Sequence, residues 1–379
     1  MSNKVIADGS RPDPWMVAAN DVFYLTFTLG NRIELWESSS MDDFFNPRKC
    51  LVWRPQSGSP WSADIWAPEL HQLNGIWYIY ATASNPGVGN HGHRTIVLRS
   101  GNQDPMMESA WEFLGPLKGL PDHFSIDATV FSPNKRDLYI CWSGWPPHDS
   151  SDYQQNLYLT KMVSPEEAVD SSKLKPVCIS CADHDWERFN SGTRGINEGP
   201  TWVSLPDGTF SGIVYSGHAS FTSEYKLGLL RLSSPDANPM NQKSWTKRPT
   251  PLLFNDQSNP GPYAPGHASF VLSPHQGDNR VFCIFHATDK WGEGFSNRKA
   301  RIMALEPKAF APNAQPVCCS SAPSNPSWKG ASRDGHQNKA AKAKMKVQKY
   351  TNKVPEPVRK AVGSVINIPM LIGIVGRFL

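Results

Sequence analysis

Five times along the chain, a short polar motif is followed about ten residues later by an apolar strand. The strands read Val22-Phe-Tyr-Leu-Thr-Phe-Thr28, Ile76-Trp-Tyr-Ile-Tyr-Ala-Thr82, Asp137-Leu-Tyr-Ile-Cys-Trp-Ser143, Phe210-Ser-Gly-Ile-Val-Tyr-Ser216 and Arg280-Val-Phe-Cys-Ile-Phe-His286. Their starts lie 54, 61, 73 and 70 residues apart. Aromatic and β-branched residues suit a pleated, buried surface. Asn20-Asp21, Asn74-Gly75, Asp207-Gly208 and Gly277-Asp278 lie just before strands, which is a hairpin signal. An internal period of this kind calls for an architecture of repeated sheets.

The polar motifs are Arg11-Pro-Asp-Pro-Trp15, Trp66-Ala-Pro-Glu69, Ser125-Ile-Asp-Ala-Thr129, Asn197-Glu-Gly-Pro200 and Gly266-His-Ala-Ser269. In a β-propeller each repeat is a four-stranded sheet whose innermost strand lines a central channel. If each motif opens an innermost strand, five motifs converge on one mouth. Each aromatic segment is then the second strand of its sheet. The expectation is an all-β, five-bladed β-propeller over residues 8–320. A β-sandwich is the competing fold, and the regular pairing of motif with strand favours the propeller.

Composition agrees. Gly (28) and Pro (33) are frequent, charged residues make up only 19%, and there are 14 Trp, which can fill a β core or stack on sugar rings. The net charge of +4 is unevenly placed. Residues 325–379 carry 11 basic and 2 acidic groups, against 27 and 32 in the remainder. The body is mildly acidic and gives no support for nucleic-acid binding. The stretch 325–379 is expected to be a basic extension, disordered or partly helical around Lys339–Lys349. Its apolar end from Val365 is broken by Asn367, Pro369 and Arg377 and falls short of a membrane span. The opening MSNKVIADGS has no apolar leader region. Seven scattered Cys do not form a disulfide framework. Cys178-Ile-Ser-Cys181 is a lone pair, read as a local disulfide or two free thiols.

Three acids sit in apolar, rigid settings: Asp13 between two prolines, Asp127 between Ile126 and Ala128, Glu198 before Gly199-Pro200. Such settings favour burial and a perturbed pKa. Glycosidic hydrolysis needs a carboxyl group on either side of the scissile bond. Singly, each acid also reads as a turn, strand-end or loop residue; their recurrence in three repeats makes them one candidate constellation.

Taken in order, the segments Arg11–Trp15, Ile65–Glu69, Phe124–Thr129, Ile196–Pro200 and Pro265–Phe270, with Asn297–Ile302, resemble the signatures of glycoside hydrolase family 43. The spacing of Asp13, Trp66-Glu69, Asp127, Trp186-Glu187, Glu198 and Gly266-His267 is most similar to its exo-α-1,5-L-arabinofuranosidase branch. The resemblance covers about residues 8–305. It implies an inverting glycosidase with Asp13 as general base and Glu198 as general acid. Asp127 would orient Glu198 and raise its pKa. It implies substrate contacts from Trp66 and Arg298, with core packing and a surface basic cluster as the plainer readings. Glu69 is read as an orienting or structural acid.

His267 matches a family histidine linked through water to a metal ion; a satisfied core histidine is the alternative. No cofactor is required, and a structural ion such as calcium would lie in the channel. The expected substrates are arabinan or arabino- and xylo-oligosaccharides, handled by a monomer. A β-xylosidase or endo-arabinanase within the family, and a non-catalytic carbohydrate-binding propeller outside it, are the alternatives. The family implies an extracellular enzyme; the opening residues leave an intracellular one open.

Overall fold

Each repeat expected from the sequence folds as an antiparallel meander in the computed structural model, which describes residues 3–147, 154–273 and 278–320. The first meander runs Trp15–Ala19, Val22–Thr26, Ile33–Ser38, Arg48–Trp53. The second runs Ala63–Leu73, Ile76–Ser84, Arg94–Ser100, Trp111–Pro116. The third is Ser125–Phe131, Tyr139–Gly144, Gln154–Ser164, with Val177–Ser180 at its edge. The fourth is Arg194–Ser204, Ser211–Gly217, Lys226–Leu232, Trp245–Lys247. The fifth is Tyr263–Leu272, Val281–Thr288, Lys299–Leu305, completed by Lys4–Val5 from the other end of the chain, with Lys4 opposite Ile302.

In every meander the polar motif precedes or lies on the first strand, and the aromatic segment forms the second. The fold is all-β: the helical segments among the described residues are 3-10 turns of three or four residues. The third and fourth meanders are not separate sheets. A two-residue parallel pairing, Gln154 with Gly195 and Gln155 with Ile196, joins them. Gly277 of the expected fifth turn, and the basic stretch 325–379, lie outside the described residues.

The second strands read as continuous apolar runs because both faces are covered. In Ile76–Ser84 all residues after the first are buried. Five apolar clusters lie between neighbouring meanders. Tyr24, Leu35, Trp77 and Ile79 join first to second. Tyr80, Val97, Val130 and Trp142 join second to third. Phe131, Cys141, Ile213 and Leu230 join third to fourth. Val214, Leu229, Phe285 and Met303 join fourth to fifth. Met16, Phe27, Ile284 and Ile302 join fifth to first. Truncating one fully buried ring, such as Trp77→Ala, costs about 3–5 kcal/mol.

The first strands share a kink. Asp13, Ala67, Asp127, Gly199 and His267 all have positive φ, between 44° and 56°. In the last four, the ladder slips at that point, between Trp66 and Glu69, Ile126 and Thr129, Glu198 and Thr201, and Gly266 and Ser269. A bulge of this kind bends the strand and re-aims its side chains. For a residue other than glycine the conformation costs about 1–3 kcal/mol and persists only when the surroundings hold it.

Here the holding groups come from the last residues of the five aromatic segments. Thr28 Oγ1 accepts the N–H of Ala67 at 2.7 Å. Thr82 Oγ1 accepts that of Asp127 at 3.1 Å, Ser216 Oγ that of His267 at 2.8 Å, and His286 Nδ1 that of Asp13 at 3.1 Å. Ser143 Oγ instead donates to the carbonyl of Asn197 at 2.9 Å. Each bond links one meander to the next, and the last returns to the first.

The two thiols of Cys178 and Cys181 are free, with sulfurs 3.4 Å apart, well beyond bonding distance. No helix among the described residues is long and apolar enough to cross a membrane.

Candidate active site

Asp13 and Asp127 occupy the kink position itself, and His267 holds the same position in the fifth meander. Glu198 does not. It precedes the kink residue Gly199, so the three acids are not strictly equivalent, as their recurrence had implied. Trp66, Ile126 and Gly266 share the Glu198 position, opposite Thr82, Ser143 and His286 as Glu198 is opposite Ser216. Glycine at 199 avoids both the strain of the kink and a tight contact. Its φ is +55°, and a Cβ there would sit 3.1 Å from the His267 ring.

All three acids are buried. Asp13 Oδ2 accepts a hydrogen bond from Thr28 Oγ1 at 2.6 Å. Its Oδ1 faces His286 Nδ1 at 3.3 Å, His267 Nδ1 at 3.4 Å and Arg298 Nη1 at 3.8 Å. Burial alone would raise the Asp13 carboxyl, but the charges of His267 and then Arg298, with the contact to His286, outweigh it and hold it well below the usual carboxylate range. Burial also lowers both histidines, His286 to about 4, so near neutral pH Arg298 is the standing charge beside Asp13.

Asp127 and Glu198 move the other way. Asp127 Oδ2 accepts the N–H of Gly199 at 3.1 Å, which ties it to the backbone that carries Glu198. Burial and then the charges of Glu198 and Asp13 raise Asp127 well above its ordinary value. Burial also raises Glu198, to about 7, with Asp13 adding to the rise. Hydrogen bonds from Tyr225 and Ser220 hold it back. The sequence reading made Asp127 the charge that raises Glu198. In the structure the charge that raises Glu198 is that of Asp13, and Glu198 in turn raises Asp127.

Arg298 is brought to the acids rather than to the surface cluster with Lys299 and Arg301, which pair with Asp289 instead. Its Nε is buried with no partner among the described residues, leaving a donor unspent. Trp66 is half-buried, with one face against the buried His93 ring at 4.2 Å. Glu69 donates to or accepts from His71 Nε2 at 2.9 Å. Burial raises the acid and lowers His71 to about 3. His267 directs Nδ1 at carboxylates, 3.4 Å from Asp13 and 4.0 Å from Asp127. Among the described residues no three His, Cys, Asp or Glu side chains are arranged to hold a metal ion. Calcium takes six to eight oxygens, so an ion beside His267 would draw its other ligands from water.

Sequence reasoning missed Tyr225 and His286, and it gave Glu187, named only in the family spacing, no role. Tyr225 OH donates to Glu198 Oε1 at 2.8 Å, and its ring fills the space opposite Gly266, where a Cβ would lie 2.0 Å away. His286 was legible, because it ends the fifth aromatic segment where Thr28, Thr82, Ser143 and Ser216 end the others. Glu187, fully buried, accepts from Tyr215 OH at 2.7 Å, Lys247 Nζ at 2.9 Å and Asn197 Nδ2 at 2.8 Å, one residue from Glu198.

Comparison with known proteins points the same way. Residues 2–309 match the model of "Glycosyl hydrolases family 43". An extracellular exo-α-(1→5)-L-arabinofuranosidase of Streptomyces chartreusis is 29% identical over 280 residues, 73% of this chain and 80% of that protein. A protein of the same description from Streptomyces avermitilis is 30% identical over 78% of this chain. The match spans 59% of that protein, and between 52% and 59% of two fungal arabinofuranosidases. The crystal structure of an α-L-arabinofuranosidase from Lactobacillus brevis superposes with a TM-score of 0.69 at 27% identity, over 78% of this chain and 90% of that one. With buried acids of opposite protonation preference at the kinks of its first strands, and a family match over most of its length, this chain belongs to glycosyl hydrolase family 43 and is a glycosidase.

Proposed function

We propose that this protein is an exo-acting α-L-arabinofuranosidase that hydrolyses arabinan-derived glycans with inversion. Asp13 is the general base, Glu198 the general acid, and Asp127 the group that positions Glu198. The observation that carries this is the split between the acids. Asp13 is held ionised by His267, Arg298 and His286 around it, while burial raises Glu198 to about 7. An inverting hydrolysis needs one carboxylate and one carboxylic acid at the same moment.

In the reaction, Asp13 accepts a proton from water as the water oxygen bonds to the anomeric carbon. The bond from that carbon to the glycosidic oxygen breaks on the opposite face. Glu198 delivers its proton to the departing oxygen. Asp127, bonded to the Gly199 N–H, fixes the backbone beneath the acid. The Arg298 guanidinium beside Asp13 meets a hydroxyl of the terminal sugar, and Trp66 offers the face not covered by His93. The three carboxyl groups and water suffice for this chemistry.

The arabinose assignment rests on the relatives named as arabinofuranosidases, and the exo mode on the two Streptomyces proteins. Both are described as extracellular, which supports action on polymer outside the cell. We also propose that residues 8–320 form a five-bladed propeller. Support comes from the five interlinking clusters, the cyclic run of hydrogen bonds and the N-terminal strand that completes the fifth meander.

The test is product identification. Incubation with debranched arabinan, branched arabinan and xylo-oligosaccharides should release arabinose alone, with the β-anomer formed first by NMR. Xylose as product, or internal oligosaccharides, would replace this reading.

A further inference from the structure

Two phenylalanines stand exposed beside the acids. Phe221 is 38% and Phe295 57% exposed, and their ring centres are 5.8 Å apart. A scattered exposed apolar side chain is ordinary, but two rings in contact form a patch. Both connect to the catalytic groups. The Arg298 guanidinium lies over the Phe295 ring at 5.1 Å, and the same guanidinium reaches Asp13 at 3.8 Å. Phe221 follows Ser220, which hydrogen-bonds Glu198, on a loop that ends at Tyr225, the other donor to Glu198.

These rings are fixed. Phe221 rests edge-on against the buried Phe189 at 5.9 Å. Thr222 Oγ1 donates to the carbonyl of Ala219 and also bonds His218 Nδ1, which closes the turn around Phe221. The Gly292 N–H donates to Ser223 Oγ at 2.7 Å, which locks the Phe295 loop to the Phe221 loop. Side chains already ordered lose little entropy when a ligand covers them.

We propose that Phe221 and Phe295 form the stacking edge that receives the leaving-group sugar, the unit joined through the oxygen that Glu198 protonates. This rests on the assignment of Glu198 as the acid. The Phe221 loop holds Glu198, so the departing oxygen leaves on that side. A neutral pentose presents C–H faces that pair with the rings, and neither Phe carries a polar atom to fix a charged group. The pair would therefore favour a glycan aglycone over a small one without taking part in bond breaking.

The test compares two substrates in the wild type and in F221A, F295A and F295W. One is an arabino-oligosaccharide with a leaving-group sugar. The other is α-L-arabinofuranosyl fluoride, which has none and whose turnover also reports correct folding. The expected result is a KM about tenfold higher for the oligosaccharide in each alanine variant, with kcat little changed, fluoride kinetics unaltered, and recovery in F295W. Alanine variants that match the wild type on both substrates, or lose both equally, overturn the stacking edge while the acid assignment stands. A wild type inactive on both substrates removes the acid assignment and the stacking edge with it.

Discussion

The hydroxyl of Tyr225 donates a 2.8 Å hydrogen bond to Oε1 of Glu198, and the tyrosine is held there because Gly266 leaves room for its ring. The bond favours the ionised form of Glu198 and so lowers its pKa. In Y225F that contribution is lost. The pKa of Glu198 then rises, and the protonated acid survives to higher pH. The basic limb of the kcat/KM profile should move up by about one unit, the size expected for a hydrogen bond to a charged group. A profile shifted downward would contradict the sign.

The pH dependence of the wild type follows from the same groups. Glu198 must be protonated, and its pKa of about 7 places the fall in activity on the alkaline side near that value. Asp13 must be ionised, and it stays so far below the usual carboxylate range. Activity should therefore persist into acid until another process, such as unfolding, ends it. A steep acid limb near pH 4–5 in a protein still folded by circular dichroism would argue against Asp13 as the base.

The two acids separate by leaving group. E198Q should lose about 10²–10⁴-fold on an arabino-oligosaccharide, yet keep most activity on arabinofuranosyl fluoride, whose departure needs no proton. D13N should lose similarly on both, because either reaction needs an activated water. Steady-state kinetics on the two substrates decide it; equal losses in E198Q would deny Glu198 its role.

Stability is predicted to depend on Lys247. Its ammonium is largely buried and paired with Glu187, which is wholly buried. K247M leaves that carboxylate uncompensated and should cost about 3–5 kcal/mol. The double variant K247M/E187Q should recover part of the loss. Denaturant melts of both measure it, and a K247M protein as stable as the wild type would refute the network.

The five motif–strand pairs were legible because each obeys a local rule. Alternating or continuous apolar runs mark strands, and Asn20-Asp21 and Asn74-Gly75 take the positive φ that tight hairpins require. The acids were legible because short polar residues in apolar, proline-flanked settings are unusual. The pairing of Glu187 with Lys247 was not, since a Glu and a Lys sixty residues apart carry no mark of being buried together. Nor was the side of the kink on which Glu198 stands, because a bulge shifts a ladder by one residue without changing composition.

By itself, then, the sequence determined the repeat, the strands and the identity of the three carboxyl groups, since these follow from periodicity and side-chain chemistry along the chain. Only the tertiary structure decided what charge each carboxyl prefers. It set Arg298 from the fifth meander beside Asp13, and Tyr225 from the fourth against Glu198. A pKa depends on burial and on neighbours in space, and those neighbours come from other strands and loops, Arg298 from the opposite end of the described chain and Tyr225 from 27 residues on, where no local pattern records them.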